Sequence, residues 1–215
     1  RSAGGALPLA AIEAEMAPYA IATAIDRGPH GPAVMERMLG KAAFAALPAP
    51  LKAFHGADAR PVWRGRVRVE AGTSLVARGL RRLIGLPEAG EDRPITVSVD
   101  RLAEGAAPAE VWTRNVDGRR FASRLAADAA GGIEERFGCV TIRLAPVVRD
   151  GRIEMTAAGA RVCGVALPRA LWPRCAAAAW ADERGRYRFD VRLALPVFGP
   201  LIRYAGWLAP KGADA

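Results

Sequence analysis

The chain predicts an α+β fold: a strongly curved antiparallel sheet or open β-barrel of about seven to nine strands, with an N-terminal helix and one helix between the first and second strands. Three observations point there. Helical periodicity is confined to the first part of the chain. Period-two alternation of apolar and polar residues dominates the rest. Two Asp-Gly pairs, Asp117-Gly118 and Asp150-Gly151, sit between alternating runs, where that dipeptide suits a tight hairpin.

Residues 1–31 carry a loose helical pattern around Pro18 that ends at Gly28-Pro29-His30-Gly31, and are expected to be a linker or the tail of an upstream segment. Residues 32–210 are expected to form one domain, with 211–215 a disordered tail. The first residue is not Met, which suggests an excised or processed piece. Pro32 suits a helix first turn, and Val34, Met35, Met38, Leu39, Ala42, Ala43 and Leu47 follow at helical spacing until Pro48 and Pro50. A short turn then carries Leu51, Phe54 and His55.

Trp63 to Glu70 reads as the first strand, with Trp63, Gly65, Val67 and Val69 on one face and Arg64, Arg66 and Arg68 on the other. Gly72 ends it, and Thr73 or Ser74 can cap a helix. That helix is expected to turn Leu75, Val76, Gly79, Leu80, Leu83 and Ile84 toward the sheet and Arg78, Arg81 and Arg82 away. Strands are then expected around Ile95–Val99, at Glu110–Asn115 and Arg120–Leu125, at Ile133–Phe137 and Cys139–Val148, and at Ile153–Thr156 and Ala160–Val165. Leu167 to Pro173 is irregular, Ala176–Ala181 fits strand or helix, and Tyr187–Leu195 and Leu201–Leu208 close the chain. A curved sheet with a covering helix encloses an apolar cavity.

Composition narrows the function classes. Half of the residues are hydrophobic (51%) and a quarter charged, which is globular composition. The net charge is +9 and almost entirely arginine, since lysine occurs only at Lys41, Lys52 and Lys211. Arginine suits phosphate and carboxylate recognition, but abundant Ala, Gly and Pro beside it are the mark of a GC-rich genome. Three scattered cysteines make no disulfide framework and fit a reducing, cytoplasmic compartment. No stretch is apolar enough for a spanning helix. Dinucleotide and Walker phosphate loops, the nucleophile elbow and zinc-ligand spacing are all missing, so no cofactor and no metal are expected.

Leu47-Pro48 with His55, Leu86-Pro87, Trp112-Thr113-Arg114-Asn115, Asp117-Gly118-Arg119-Arg120-Phe121-Ala122-Ser123, Glu135-Arg136-Phe137-Gly138, Tyr187-Arg188-Phe189-Asp190-Val191 and Tyr204-Ala205-Gly206-Trp207-Leu208 occur in an order and spacing that resemble the bacterial domain of unknown function 4166 family. The resemblance covers residues 34 to 209. Some members of that family follow a saccharopine-dehydrogenase-like Rossmann domain in one polypeptide. The resemblance therefore implies an accessory role beside such an oxidoreductase, though no chemistry of its own.

The expected function is a non-enzymatic binding domain for a small hydrophobic or amphipathic molecule. Trp112, Phe121, Phe137, Tyr187, Phe189 and Tyr204 are the expected wall, and Arg114, Ser123 and Glu135 the polar anchors. An inward Glu135 needs an arginine, Arg114 or Arg120, beside it, and a purely structural ion pair of Arg114 with Glu110 or Glu135 is the competing reading. The alternative is an enzyme using His55 or Glu135 with Arg114 as an acid–base set, which requires the three to converge. The third reading is a basic module on membrane or nucleic acid. Nucleic acid is disfavoured because the aromatics alternate to the face opposite Arg64, Arg66, Arg68, Arg186, Arg188 and Arg192.

Overall fold

A computed structural model of the chain describes residues 33–56, 62–102 and 107–212. The expected linker at 1–31 and the last residues of the expected tail lie outside the described residues. Four short helices, α1 (Val34–Leu39), α2 (Lys41–Ala45), α3 (Ala49–His55) and α4 (Leu75–Leu83), accompany eleven strands. The strands are β1 (Val62–Ala71), β2 (Gly90–Leu102), β3 (Ala109–Val116), β4 (Arg119–Ala127), β5 (Ile133–Phe137), β6 (Val140–Arg149), β7 (Arg152–Val162), β8 (Val165–Ala166), β9 (Arg174–Ala181), β10 (Tyr187–Leu195) and β11 (Gly199–Pro210).

Every strand pairing is antiparallel, and each main strand pairs with its neighbours in sequence. β1 pairs with β11 and β7 with both β6 and β9, so the sheet closes on itself as an up-and-down barrel of ten strands, with β8 a tab on β7. The α+β, barrel-like expectation holds in outline, but the strand count was too low. Closure is the physical reason: an unclosed sheet would leave two edges of unpaired N–H and C=O groups, and the extra strand pairs remove them.

The seam between first and last strands is held tightly. A Cβ on Gly206 would meet the Arg66 carbonyl oxygen at 2.1 Å, and one on Gly65 would meet the Trp207 carbonyl oxygen at 1.8 Å. These two glycines let β1 and β11 cross with strong coiling where a side chain would force them apart. Asp117-Gly118 and Asp150-Gly151 both turn with positive φ at each residue, as a mirror-image hairpin turn requires. Cys163-Gly164 does the same at φ 50° and 79°. This splits the expected Ala160–Val165 strand into β7 and β8. The sequence offered no Asn-Gly or Asp-Gly there to mark it.

The N-terminal region differs from expectation in two ways. Gly40, at φ 77°, interrupts the predicted single helix between α1 and α2. The segment bearing Phe54 and His55 is a helix rather than a turn, because Pro50 falls in the first turn of α3, where its missing N–H costs nothing. Together α1 to α3 plug the barrel end formed by the starts of β1, β3 and β10. Val34 N donates to Glu110 at the start of β3, Gly151 in the β6–β7 turn lies against Pro48, and Phe54 stacks on Tyr187 at the start of β10.

Helix α4 lies at the opposite end, and its orientation meets expectation only in part: Arg78 and Arg82 face outward, but Arg81 is buried in place of Leu75, Val76 and Leu83. Ser74 caps it by accepting from the Ala77 N–H at 3.1 Å. Ala77 and Arg81 are the buried residues, whereas Leu75 is 79% exposed and Val76 and Leu83 are also exposed. Leu80 and Ile84 pack only partly against the core. Local pattern assigned the leucine stripe to the sheet; close packing of Ala77 against the Gly72 segment, 3.2 Å from where a Gly72 Cβ would stand, decided otherwise.

Candidate functional site

The barrel interior is filled at the helix end by an aromatic cluster. Phe54 stacks on Tyr187 at 4.2 Å between ring centroids and meets Trp63 and Trp112 edge-on, each at 5.2 Å. Such pairs are each worth about 0.5–1.5 kcal/mol beyond their buried area. His55 belongs to this cluster. Its Nε2 lies 3.1 Å from the Tyr187 hydroxyl, and burial pushes its pKa down to about 3, so it is neutral at physiological pH. The same burial raises the pKa of the Tyr187 hydroxyl.

Beyond the cluster, toward the α4 end, the interior holds a cavity of about 80 Å³. Its wall is apolar except at Arg114, Glu135, Cys175 and the hydroxyls of Tyr187 and Tyr204. Cross-strand register explains how the polar set meets. Trp112 on β3 stands opposite Ser123 on β4, and Leu125, two residues on, stands opposite Glu135 on β5. Arg114 therefore reaches across one strand: its Nη1 donates to Ser123 Oγ at 2.9 Å and its Nη2 to Glu135 Oε1 at 3.3 Å. Ser123 Oγ in turn donates to the same Glu135 oxygen at 2.7 Å. The guanidinium also lies over the rings of Trp112 and Phe121, at 5.3 and 5.6 Å.

Tyr204 and Cys175 face this set from the other side. Burial, with the neighbouring Glu135 carboxylate, pushes the Cys175 thiol up to about 12. Burial likewise pushes the Tyr204 hydroxyl up to about 12, against the opposing pull of Arg114. Both are therefore neutral near pH 7. Cys175 also borders a surface hollow of about 320 Å³ between β7, β9 and the turn after β10, lined by Thr156, Arg169, Trp172, Arg174 and Pro196 among others. Cys175 thus lines both the interior cavity and this hollow.

Of the residues singled out from sequence, Trp112, Arg114, Glu135, Tyr187, Phe189 and Tyr204 line the cavity. Ser123 supports Arg114 and Glu135 from behind. Phe121 is buried under Arg114, and Phe137 is half-buried and outside the lining. Glu135 is paired with Arg114 and not Arg120, which is exposed. His55 does not converge with Arg114 and Glu135; its hydrogen-bond partner is Tyr187.

Sequence reasoning missed Glu110 as an anchor. It is buried, accepts from the Val34 N–H at 3.0 Å and the Trp112 Nε1–H at 2.9 Å, and lies 3.8 Å from Arg101 Nε. Arg101 also donates to the Gly56 carbonyl. This network ties the helical plug to the barrel and orients Trp112. The signal was a carboxylate in phase with Trp112 and Arg114 on β3, which period-two reading places inside. No group of three or more metal-ligating side chains occurs among the described residues. No helix among them is long and apolar enough to cross a membrane.

The molecule is thus a closed antiparallel barrel with a helical plug and a buried charged set in its interior. Its family follows from comparison: the model described as domain of unknown function (DUF4166) matches residues 47–208, and the chain belongs to that family. No curated protein matches it. Among solved structures, a crystal structure of a "putative thioesterase" from Novosphingobium aromaticivorans shares 15% identity, covering 86% of this chain and 91% of that one, with a TM-score of 0.22.

Proposed function

We propose that the domain binds a small hydrophobic or amphipathic molecule inside the barrel, with Arg114, Glu135 and Tyr204 meeting its polar end. The observation that carries this reading is the Arg114–Ser123–Glu135 set facing an otherwise apolar cavity. A buried ion pair is seldom a better source of stability than apolar residues of the same volume. A polar set retained in such a place has a use if it meets the polar group of a guest. The Tyr204 hydroxyl supports the same reading, since Tyr204 lines the cavity with Arg114 and Glu135 and interacts electrostatically with both. Met35 and Met155 in the wall are flexible enough to yield to a guest larger than the present space. In this reading the domain holds or presents its guest to a saccharopine-dehydrogenase-like oxidoreductase, fused or neighbouring, which would supply the nicotinamide chemistry.

Native mass spectrometry of the purified protein, with uptake of the fluorescent probe anilinonaphthalene sulfonate, tests the reading. A stoichiometric small-molecule adduct, or saturable probe uptake weakened several-fold by Tyr204→Phe, is the expected result. An apo mass with no saturable uptake would sink it.

A further inference from the structure

The α4 end of the barrel carries a second feature, independent of what the cavity holds. Strand direction brings the end of β1 with α4, the turn between β10 and β11, and the loop between β8 and β9 to this one rim. The Gly72 N–H donates to the Leu201 carbonyl, which joins the approach to α4 to the start of β11. Pro196, at the β10–β11 turn, borders one hollow with Arg169, Trp172 and Arg174.

Large apolar side chains project from each of these elements into solvent. Leu75, Val76 and Leu83 do so from α4, Val197 and Phe198 from the β10–β11 turn, and Leu171 from the loop. Val197 is 94% exposed and sits at φ 69°. A β-branched residue held in the left-handed region at a turn tip is strained and gains nothing from burial. On α4 the orientation is equally telling: Arg81 is buried while three apolar residues on the same helix are not. Folding alone would favour the reverse.

The apolar tips are interleaved with arginines. Arg78 and Arg82 are exposed on the outer side of α4 beside Leu75 and Leu83, and Arg169 and Arg174 are exposed at the hollow. None of the four has a carboxylate partner among the described residues. Other arginines of the barrel are matched by acids, as in Arg203 and Arg192 with Asp190, Arg68 with Glu91 and Arg186 with Asp182. The rim therefore combines exposed apolar tips with arginines that no carboxylate neutralises among the described residues.

We infer that this rim docks on an anionic lipid surface, with Leu75, Val76, Leu83, Val197 and Phe198 entering the headgroup–acyl boundary and Arg78, Arg82, Arg169 and Arg174 meeting lipid phosphates. Charge complementarity selects this occupant. Separate apolar tips ringed by unpaired arginines fit a soft anionic interface, where each cation adds about 1 kcal/mol of attraction near the surface. A nucleic acid would want exposed aromatic platforms, and Phe198 alone stands among these tips.

The test is co-sedimentation with phosphatidylcholine vesicles, with and without phosphatidylglycerol, at low and high salt. The wild-type chain is expected to bind the anionic vesicles and to release with salt. The pairs Val197→Ser with Phe198→Ser, and Arg78→Gln with Arg82→Gln, should each weaken binding, the arginine pair by about thirtyfold. All four positions are exposed, so circular dichroism should show an unchanged fold. Absence of wild-type binding to anionic vesicles would overturn the inference, as would binding that neither pair alters. Self-association abolished by the Val197 and Phe198 pair, without vesicle binding, would assign the rim to a second copy of the chain instead. Loss of vesicle binding would leave cavity uptake of the probe untouched, so the two proposals fail separately.

Discussion

The Arg114–Glu135 pair is the sharpest place to test the interior. Its side chains are 8% and 15% exposed, so each is held away from water and depends on the other. Arg114→Met leaves Glu135 with Ser123 as its remaining neutral partner, and a buried charge left without its counter-ion costs about 3–5 kcal/mol. Glu135→Leu strands the guanidinium, but the Trp112 and Phe121 rings and Ser123 still contact it. That change should cost less, about 2–3 kcal/mol, because cation–π contact retains part of the lost attraction. The double variant removes both charges and should fall within about 1–2 kcal/mol of wild type, giving a coupling of at least about 3 kcal/mol. Urea unfolding followed by tryptophan fluorescence, with unchanged dependence on denaturant, measures all three. Single variants costing under about 1 kcal/mol, or costs that simply add in the double, would show that the pair is solvated and the reasoning wrong.

Three further outcomes follow from the same geometry. His55 has its ordinary value of 6.5 when unfolded and about 3 when folded, so the unfolded chain binds the extra proton and stability falls as pH drops below 6.5. About 2 kcal/mol should be lost between pH 8 and 5, and His55→Gln should flatten that part of a pH series of unfolding free energies. Glu110→Ala removes the acceptor of two hydrogen bonds and the neighbour of a buried Arg101, so thermal unfolding should show a loss of about 3–5 kcal/mol, with Glu110→Gln losing less. Gly206→Ala places a methyl 2.1 Å from the Arg66 carbonyl oxygen and should cost at least about 3 kcal/mol or prevent folding, whereas Gly164→Ala, with open space around it, should lose only the cost of its positive φ.

The alternation along β1, β3, β4 and β10 was legible because the side-chain period of a strand is independent of what the strand pairs with. That is why Trp112, Arg114, Ser123 and Glu135 could be assigned to one interior from sequence, and why their cross-strand reach agrees with the register. The Cys163-Gly164 turn was not legible, since Cys carries no turn preference and the left-handed φ there is imposed by its neighbours. Helix α3 was misread because the same proline that ends one helix can open the next, and only the docking of Phe54 and His55 into the barrel distinguishes the two.

By itself the sequence determined an antiparallel barrel-like sheet, its hairpins at Asp117-Gly118 and Asp150-Gly151, and the inward set on β3 to β5, all consequences of short-range backbone preference and a two-residue period. Only the tertiary structure decided that the sheet closes through β1 and β11, that His55 pairs with Tyr187 instead of joining Arg114, and that α4 presents Leu75 and Leu83 outward. Those depend on which segments, far apart in the chain, reach each other once the ring has closed. A helix nine residues long has no means of its own to choose which face it buries.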